Sequence, residues 1–307
     1  MGKRGNDMEL KSIDELLQKA KTGKIKKAAI AAAQDTHALE AVKTAVEDGL
    51  IEPILIGDPK RIKACMDEIG KIPGNPEIVE TESDEESAQK AVEMVKAGEA
   101  DFIMKGKINS SALLRPVVRK DGLNIGNSIS HLSVISLPGF HKLFGLTDCA
   151  MNIQPTREQK IAIVKNTVEA FRKMGYENPK IAMLCANEEV TEKQPDTVDA
   201  KEIQEMCERG ELGKCTVCGP ISFDIAMDAE AAAYKGFDSP VAGDPDVLVV
   251  PNLVCGNVLN KALKQFAHTT ACGAVIGAKC PVALTSRTSS VKNKVLSIAF
   301  CASMING

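Results

Sequence analysis

Residues 244–294 read DPDVLVVPNLVCGNVLNKALKQFAHTTACGAVIGAKCPVALTSRTSSVKNK. An apolar strand, Val247–Val250, runs into Pro251–Asn252, and Cys255–Gly256–Asn257 opens a helix. Further strand-like runs follow. The last empties into Ser286–Arg287–Thr288–Ser289–Ser290, which starts a final helix apolar at Val291, Val295, Ile298, Ala302 and Ile305. Strand, polar loop and helix in that order are the unit from which α/β sheets are built. A loop from a strand end into a helix start exposes unbonded N–H groups at the positive end of the helix dipole, where an anion is stabilised. Arg287 adds a forked donor that grips a phosphate with parallel hydrogen bonds.

The same alternation extends back to the N-terminal half. Ala28–Ala32, Pro53–Ile56 and Asp101–Met104 read as strands. Helical faces between them are marked by Leu39, Val42 and Val46, by Ile62, Met66 and Ile69, and by Ala88, Val92 and Val95. After Thr147–Asp148 the pattern resets. A long helix begins near Thr156 and stops at Gly175, and strand-like runs recur at Ile181–Cys185, Cys215–Val217, Val247–Val250 and Ala274–Ile276. Glu188–Asp199 reads as an exposed polar loop. The fold class expected is α/β: two domains of mostly parallel sheet flanked by helices, with an active-site cleft between them. Residues 1–147 with 283–307 form one domain and 148–282 the other, the final helix returning to the first.

Composition removes several classes of function. The chain has 307 residues, 44% hydrophobic and 26% charged, enough apolar content for a packed core. Tryptophan is absent, aromatics make up 3% and the net charge is −3, so neither stacking platforms nor a basic stripe invites nucleic acid. No apolar run reaches the ~18 residues of a membrane span, and MGKRGNDMEL lacks the apolar stretch of a signal peptide, so a cytoplasmic location is expected. The ten cysteines are irregularly spaced. Cys215–x–x–Cys218 has no second pair or histidines at zinc-finger spacing, and it fits small buried strand residues better than a metal or redox site.

Neither G-x-x-x-x-G-K-[ST] nor a strand-borne G-x-G-x-x-G occurs, which argues against a P-loop or Rossmann nucleotide site. Polar clusters stand instead at strand ends: Lys105–Gly106 with Asn109–Ser110–Ser111; Ser130–His131; Thr147–Asp148 with Asn152; Ser222 with Asp224; and the loops carrying Asn252, Gly256, Asn257, Lys261, Ser286, Arg287 and Ser290. In open α/β sheets ligands bind beyond such ends. Each cluster also has a plainer account. Ser290 suits an N-cap, His131 a hydrogen-bonded structural histidine and Lys105 a snorkelling surface lysine. Asp224 and Asp228, four apart, suit either a divalent-metal pair or the acidic start of a helix.

The motifs MKGKINSS, RPVV, TDCAMNIQP, GPISFDIA, PDVLVVPNLVCGNVLNK, GAVIGAKCPVALTSR and the final Ser297–Ile298–Ala299 occur in this order, within a likeness that runs from about Ala28 to the C-terminus. Together they resemble the phosphate acyltransferase family, which holds phosphate acetyltransferase and phosphate butyryltransferase. Lys105–Gly106 and the Asp148, Asn152, Pro155 spacing are closer to the butyryl-type members. The resemblance implies a homodimer or higher homo-oligomer. It also implies reversible acyl transfer between coenzyme A and inorganic phosphate, with acyl-CoA, coenzyme A, phosphate and acyl phosphate as partners and neither a metal nor a bound cofactor. Ser286 and Arg287 match the family's catalytic pair, and Arg115 matches an arginine directed at the polar end of coenzyme A. Lys105, Ser110, Arg115, Ser130, His131, Asp148, Asn152, Ser222, Asp224, Asn252, Gly256, Asn257, Lys261 and Ser290 are the expected substrate-binding set. Where acetyl-type members carry an acidic base, seven positions after the serine, this chain has Asn293. Three other readings stand beside the butyryl one: a phosphate acetyltransferase, a metal-dependent hydroxyacid dehydrogenase of similar shape using Asp224 and Asp228, and a non-catalytic acyl-CoA-binding relative.

Overall fold

Asp35, Asp58 and Ser83 each convert a strand end into a helix start. Asp35 accepts a hydrogen bond from the N–H of Ala38, Asp58 from those of Lys60 and Arg61, and Ser83 from that of Glu86. Each cap satisfies donors that the first helical turn would leave open. The computed structural model describes residues 9–126, 128–286 and 289–305. Within it these caps punctuate α1 (Ile13–Ala20), β1 (Lys26–Ala31), α2 (Thr36–Glu47), β2 (Ile51–Gly57), α3 (Pro59–Ile69), β3 (Glu77–Glu80), α4 (Asp84–Ala97), β4 (Phe102–Lys105) and α5 (Ser110–Val118). The chain continues through β5 (Ser130–Ser136), β6 (Phe144–Thr147), α6 (Arg157–Lys173), β7 (Lys180–Leu184), α7 (Pro195–Glu208), β8 (Thr216–Ile221), α8 (Phe223–Met227), α9 (Ala229–Tyr234), β9 (Val247–Val249) and α10 (Leu253–Phe266). It ends in β10 (Thr270–Ile276), β11 (Val282–Ala283) and α11 (Val291–Ile305).

Two compact units result. The first takes Ile13–Ile129 and the chain from Ala271 onward; the second takes residues up to Ser12 and Ser130–Thr270. The sequence reading put the breaks at 147/148 and 282/283. Strand pairing explains the difference. β5 pairs antiparallel with β6, which holds 130–147 in the second unit, while β10 pairs antiparallel with β11 in the first. Strand order is β3-β2-β1-β4-β11-β10 in the first unit and β5-β6-β9-β7-β8 in the second. The other strand pairings described within each unit are parallel, so the mostly parallel α/β class expected from the alternation is what the chain adopts.

α11 is the central helix of the first unit. Its residues from Lys294 to Met304 are buried, and it packs on α1, α2, β4 and β11. An all-round apolar helix of this kind belongs inside a core. In the second unit, α6 starts with a capping box at Thr156 and Gln159 and buries Ile163, Val164, Val168 and Phe171. Phe171 meets Tyr176 edge-on with ring centroids 4.9 Å apart, and the Tyr176 hydroxyl accepts the N–H of Leu10 at 2.8 Å. Glu188–Asp199 is not wholly a loop, since Pro195 starts α7. Proline is tolerated there because the first helical turn needs no N–H from it. No helix among the described residues is long and apolar enough to cross a membrane.

The amino-terminal ends of β6, β9 and β7 are tied by charge. Lys142 has a side chain with 0% exposure and lies 2.7 Å from both Asp246 and Asp244. Asp246, also buried, accepts the backbone N–H of Lys180 at 2.7 Å. Burial alone would discharge Lys142, but the two carboxylates outweigh it and raise its pKa. Replacing Lys142 with Met would strand the Asp246 carboxylate. We expect a loss of about 3–5 kcal/mol in urea denaturation followed by far-ultraviolet circular dichroism. A loss under about 1 kcal/mol would show that the pair does not hold these strands.

Candidate active site

The carboxyl ends of β1, β4 and β11 are neighbours in the first unit. β11 runs parallel to β4, pairing Val282 with Ile103 and Ala283 with Met104, so Thr285 and Ser286 leave the sheet at the same edge as Lys105. Lys105 is itself buried. Gly106 follows it because the end of β1 leaves no room: a Cβ at 106 would stand 2.2 Å from the Ala32 carbonyl oxygen and 2.8 Å from that of Ala31. The N–H groups of Gly106 and Lys107 bond to those same two oxygens, Ala31 and Ala32 in turn.

Opposite the strand ends, the first turn of α11 supplies a second buried lysine. The ammonium of Lys294 donates to the Ser286 carbonyl at 3.2 Å and to the Thr285 hydroxyl at 3.4 Å. Burial lowers its pKa, and the carboxylate of Asp35 works against that shift. Ser290 caps the helix, its hydroxyl accepting the N–H of Asn293 at 3.3 Å. Ser110 begins α5 and is exposed; Arg115, in the last turn of α5, is exposed as well and forms no ion pair among the described residues. Lysines, seryl hydroxyls and helix starts gathered at one sheet edge form a setting for an anion. Arg287 lies outside the described residues.

In the second unit, Asp148 organises the loop after β6. Its carboxylate accepts the N–H groups of Ala150, Met151 and Asn152 at 2.9, 3.0 and 3.1 Å and the Asn152 side-chain amide at 2.6 Å. The start of α10 closes over this loop. Asn252 caps it through the N–H of Cys255 at 3.0 Å, and Asn257 donates to the Cys149 carbonyl at 3.4 Å. Cys255, Gly256 and Asn257 therefore sit inside the helix, which begins at Leu253, and not in a loop before it. Lys261 stands exposed further along. Ser130 and His131 are buried at the start of β5, with Ser130 accepting a hydrogen bond from Asn166 at 3.2 Å. The antiparallel register places them at the carboxyl edge of β6.

Ser222 and Asp224 form a separate group at the end of β8, three strands from β6, or roughly 14 Å at ordinary strand spacing. The Ser222 hydroxyl contacts Glu188 and, at 2.5 Å, Asp224, which pairs with Lys235 at 3.0 Å. These bonds from Ser222 and Lys235 hold the Asp224 carboxyl down to about 2. Asp228 does not join Asp224 as a metal pair, because it caps α9 through Glu230 and Ala231. Cys218 lies buried in β8, and the nearest thiol to Cys215 is Cys207 at 3.5 Å. Burial and the Cys207 hydrogen bond push Cys215 up to about 12. A groove of about 620 Å³ runs past Cys207, Cys215, Gln204 and Phe237, beside α7 and β8 and apart from the Asp148 cluster. Lys294 was missed by sequence reasoning because it closes the polar stretch Lys292–Asn293–Lys294 at the start of the last helix and reads there as solvent-facing.

Comparison with known proteins fits this arrangement. The family model described as phosphate acetyl/butaryl transferase matches residues 12–90 and 74–302. The chain is 40% identical over 294 residues to a phosphate butyryltransferase of Clostridium acetobutylicum, covering 95% of this chain and 98% of that one. It is 38% identical to a phosphate acetyltransferase of Thermotoga maritima, over 94% of this chain and 98% of that one. A branched-chain phosphotransacylase structure from Enterococcus faecalis V583 superposes with a TM-score of 0.80 at 34% identity, covering 92% and 99% of the two chains. The chain belongs to the phosphate acetyl/butaryl transferase family.

Gly256 tests how tightly the Asp148 loop is held. A Cβ there would lie 2.6 Å from the Asp148 carbonyl oxygen and 2.9 Å from Val250 Cγ2. Gly256→Ala should cost about 1–3 kcal/mol in urea denaturation, despite the gain in helix propensity. A stabilised variant would mean the helix start can lift from the loop.

Proposed function

Within that family, we propose that this chain moves a short acyl group of butyryl length between coenzyme A and inorganic phosphate. The observation that carries the chain length is the end-to-end likeness to the clostridial phosphate butyryltransferase. The likeness to a phosphate acetyltransferase favours a second reading, an acetyl substrate, which the same assay resolves.

The reaction needs phosphate beside the acyl carbonyl, donors for the tetrahedral oxyanion, and release of the thiolate. A phosphate oxygen attacks the thioester carbon, and collapse of the adduct breaks the C–S bond with its electron pair leaving on sulfur. Arg287 clamps the phosphate through two parallel bonds, and Ser286 donates to the developing charge. Lys105, buried at the adjoining strand end, adds a positive charge in support of an anion there. Arg115, exposed and unpaired among the described residues, takes the polar end of coenzyme A. Ser110 and Ser290 complete the substrate-binding set of the first unit; Ser130, His131, Asp148, Asn152, Asn252, Gly256, Asn257 and Lys261 are the set of the second, with Ser222 and Asp224 standing apart at the end of β8. Among these, the roles of Asp148, Asn252, Gly256 and Ser290 run through the backbone they hold. With Asn293 in place of a carboxylate, the thiol exchanges its proton with another group or with solvent, which a reference thiol pKa of ~8.5 permits.

The deciding experiment follows thiol release from acyl-CoA of two to six carbons, straight and branched, with and without phosphate. Release should require phosphate and be fastest at four carbons; phosphate-independent release would mean a thioesterase. In the same assay Arg287→Ala should lower the rate roughly 30- to 1,000-fold, or about 2–4 kcal/mol, with partial rescue in Arg287→Lys. Arg115→Ala should instead raise the Michaelis constant for acyl-CoA and leave that for phosphate near normal. Near-normal turnover in folded Arg287→Ala would remove the assignment.

The enzyme works in the cytoplasm as a homo-oligomer, on this proposal. Val254, Val258 and Phe266 along α10 and Ile153 nearby are large apolar side chains left exposed on the single chain, a face suited to a second copy. Light scattering at micromolar concentration should give a mass above that of one chain, and a monomer would count against it.

A further inference from the structure

Burying an ammonium is unfavourable unless carboxylates surround it. Lys142 and Lys160 meet that condition: Lys142 has Asp246 at 2.7 Å, and Lys160 has Asp199 at 2.8 Å. Lys294 does not. It is 5% exposed, the helix from Val295 onward is buried and mostly apolar, and it forms no ion pair among the described residues, the Asp35 carboxylate acting on it only from beyond contact. Its ammonium is held by a carbonyl and a hydroxyl, both on the loop that leaves β11. An apolar side chain of equal length would suit this helix better.

The bonding of Ser286 shows what the lysine holds. The Ser286 carbonyl oxygen accepts the N–H of Ser289 at 3.0 Å and the ammonium of Lys294 at 3.2 Å, as an oxygen with two lone pairs can. The main chain of Ser286 is thus fixed from the core side while the residue as a whole stays exposed. We propose that Lys294 is a positioning residue for acyl transfer, its buried ammonium anchoring the Ser286 carbonyl and, through Thr285, the chain as it leaves β11. This rests on the roles given above to Ser286, as donor to the developing charge, and to Arg287, as phosphate clamp. The charge also favours an anion bound nearby.

The sign of the stability effect separates this role from a structural one. Lys294 has a pKa lowered by burial, so at neutral pH the folded state holds its proton less willingly than the unfolded chain does. The charged lysine therefore costs stability, a cost relieved only as pH rises through the lowered pKa. Removing the amine should not weaken the fold.

The test uses the full chain, with steady-state kinetics in both substrates and urea denaturation. Lys294→Met should raise the Michaelis constant for phosphate on the order of tenfold, leave that for acyl-CoA within about twofold, and keep or raise the urea midpoint. Lys294→Arg, which retains charge and donors, should recover most of the phosphate affinity. A phosphate constant within about twofold of wild type in Lys294→Met overturns the inference. Arg287→Ala measured alongside shows whether the phosphate assignment falls with it. Loss of the fold in Lys294→Met, or an equal loss toward both substrates, also overturns it and leaves the lysine to the core alone.

Discussion

A fully buried ammonium sets the frame of the second unit. Lys142 and Asp246 stand at the amino-terminal ends of neighbouring strands, and the same carboxylate takes the N–H that begins β7. Such a pair adds little over a well-packed apolar substitute, because both ions had to leave water. Its value is geometric. A misregistered strand would leave a charge buried without a partner, so one alignment of β6, β9 and β7 is favoured over its neighbours. The loops at the other ends of those strands then start from fixed positions, and Asp148 can spend its carboxylate on the chain that follows it.

The first unit reaches a comparable result by contact distance. Gly106 brings the turn after β4 against the end of β1 so closely that no side chain fits between. Lys105 is thereby fixed next to the exit of β11. Both units thus place rigid strand ends under polar loops, the usual way in which open α/β sheets present chemistry. They differ in what fills those loops: cations and hydroxyls in the first, amide-rich caps around a carboxylate in the second.

Much of this was legible in the sequence. Apolar runs of strand length, separated by helical periodicity and by caps such as Thr156, gave the α/β class, and the ordered motifs gave the family. Three things were not legible, for one shared reason. The antiparallel β5–β6 pair, the buried lysines and the cap formed by Asp148 all depend on partners that sequence spacing does not mark; Lys142 and Asp246 are 104 residues apart. Periodicity reports which side of an element is buried, and a lysine in a buried position reads as an exception until its partner is known. The boundary of the units moved for the same cause, since pairing and not composition decides which sheet a strand joins. Ser290 shows the reverse case, where the plain expectation of a helix cap proved to be the local chemistry.

The packing of Tyr176 has a spectroscopic consequence. The chain has no tryptophan and two tyrosines, Tyr176 and Tyr234, and both lie in the second unit. Tyr234 is 95% exposed, whereas Tyr176 is held against Phe171 and bonded to Leu10. Intrinsic tyrosine emission therefore follows the surroundings of Tyr176 and is blind to the unit that carries Ser286 and Lys294. A fluorescence melt of the native chain describes one half of the molecule. A single tryptophan placed in the other half would be a reporter free of any competing indole.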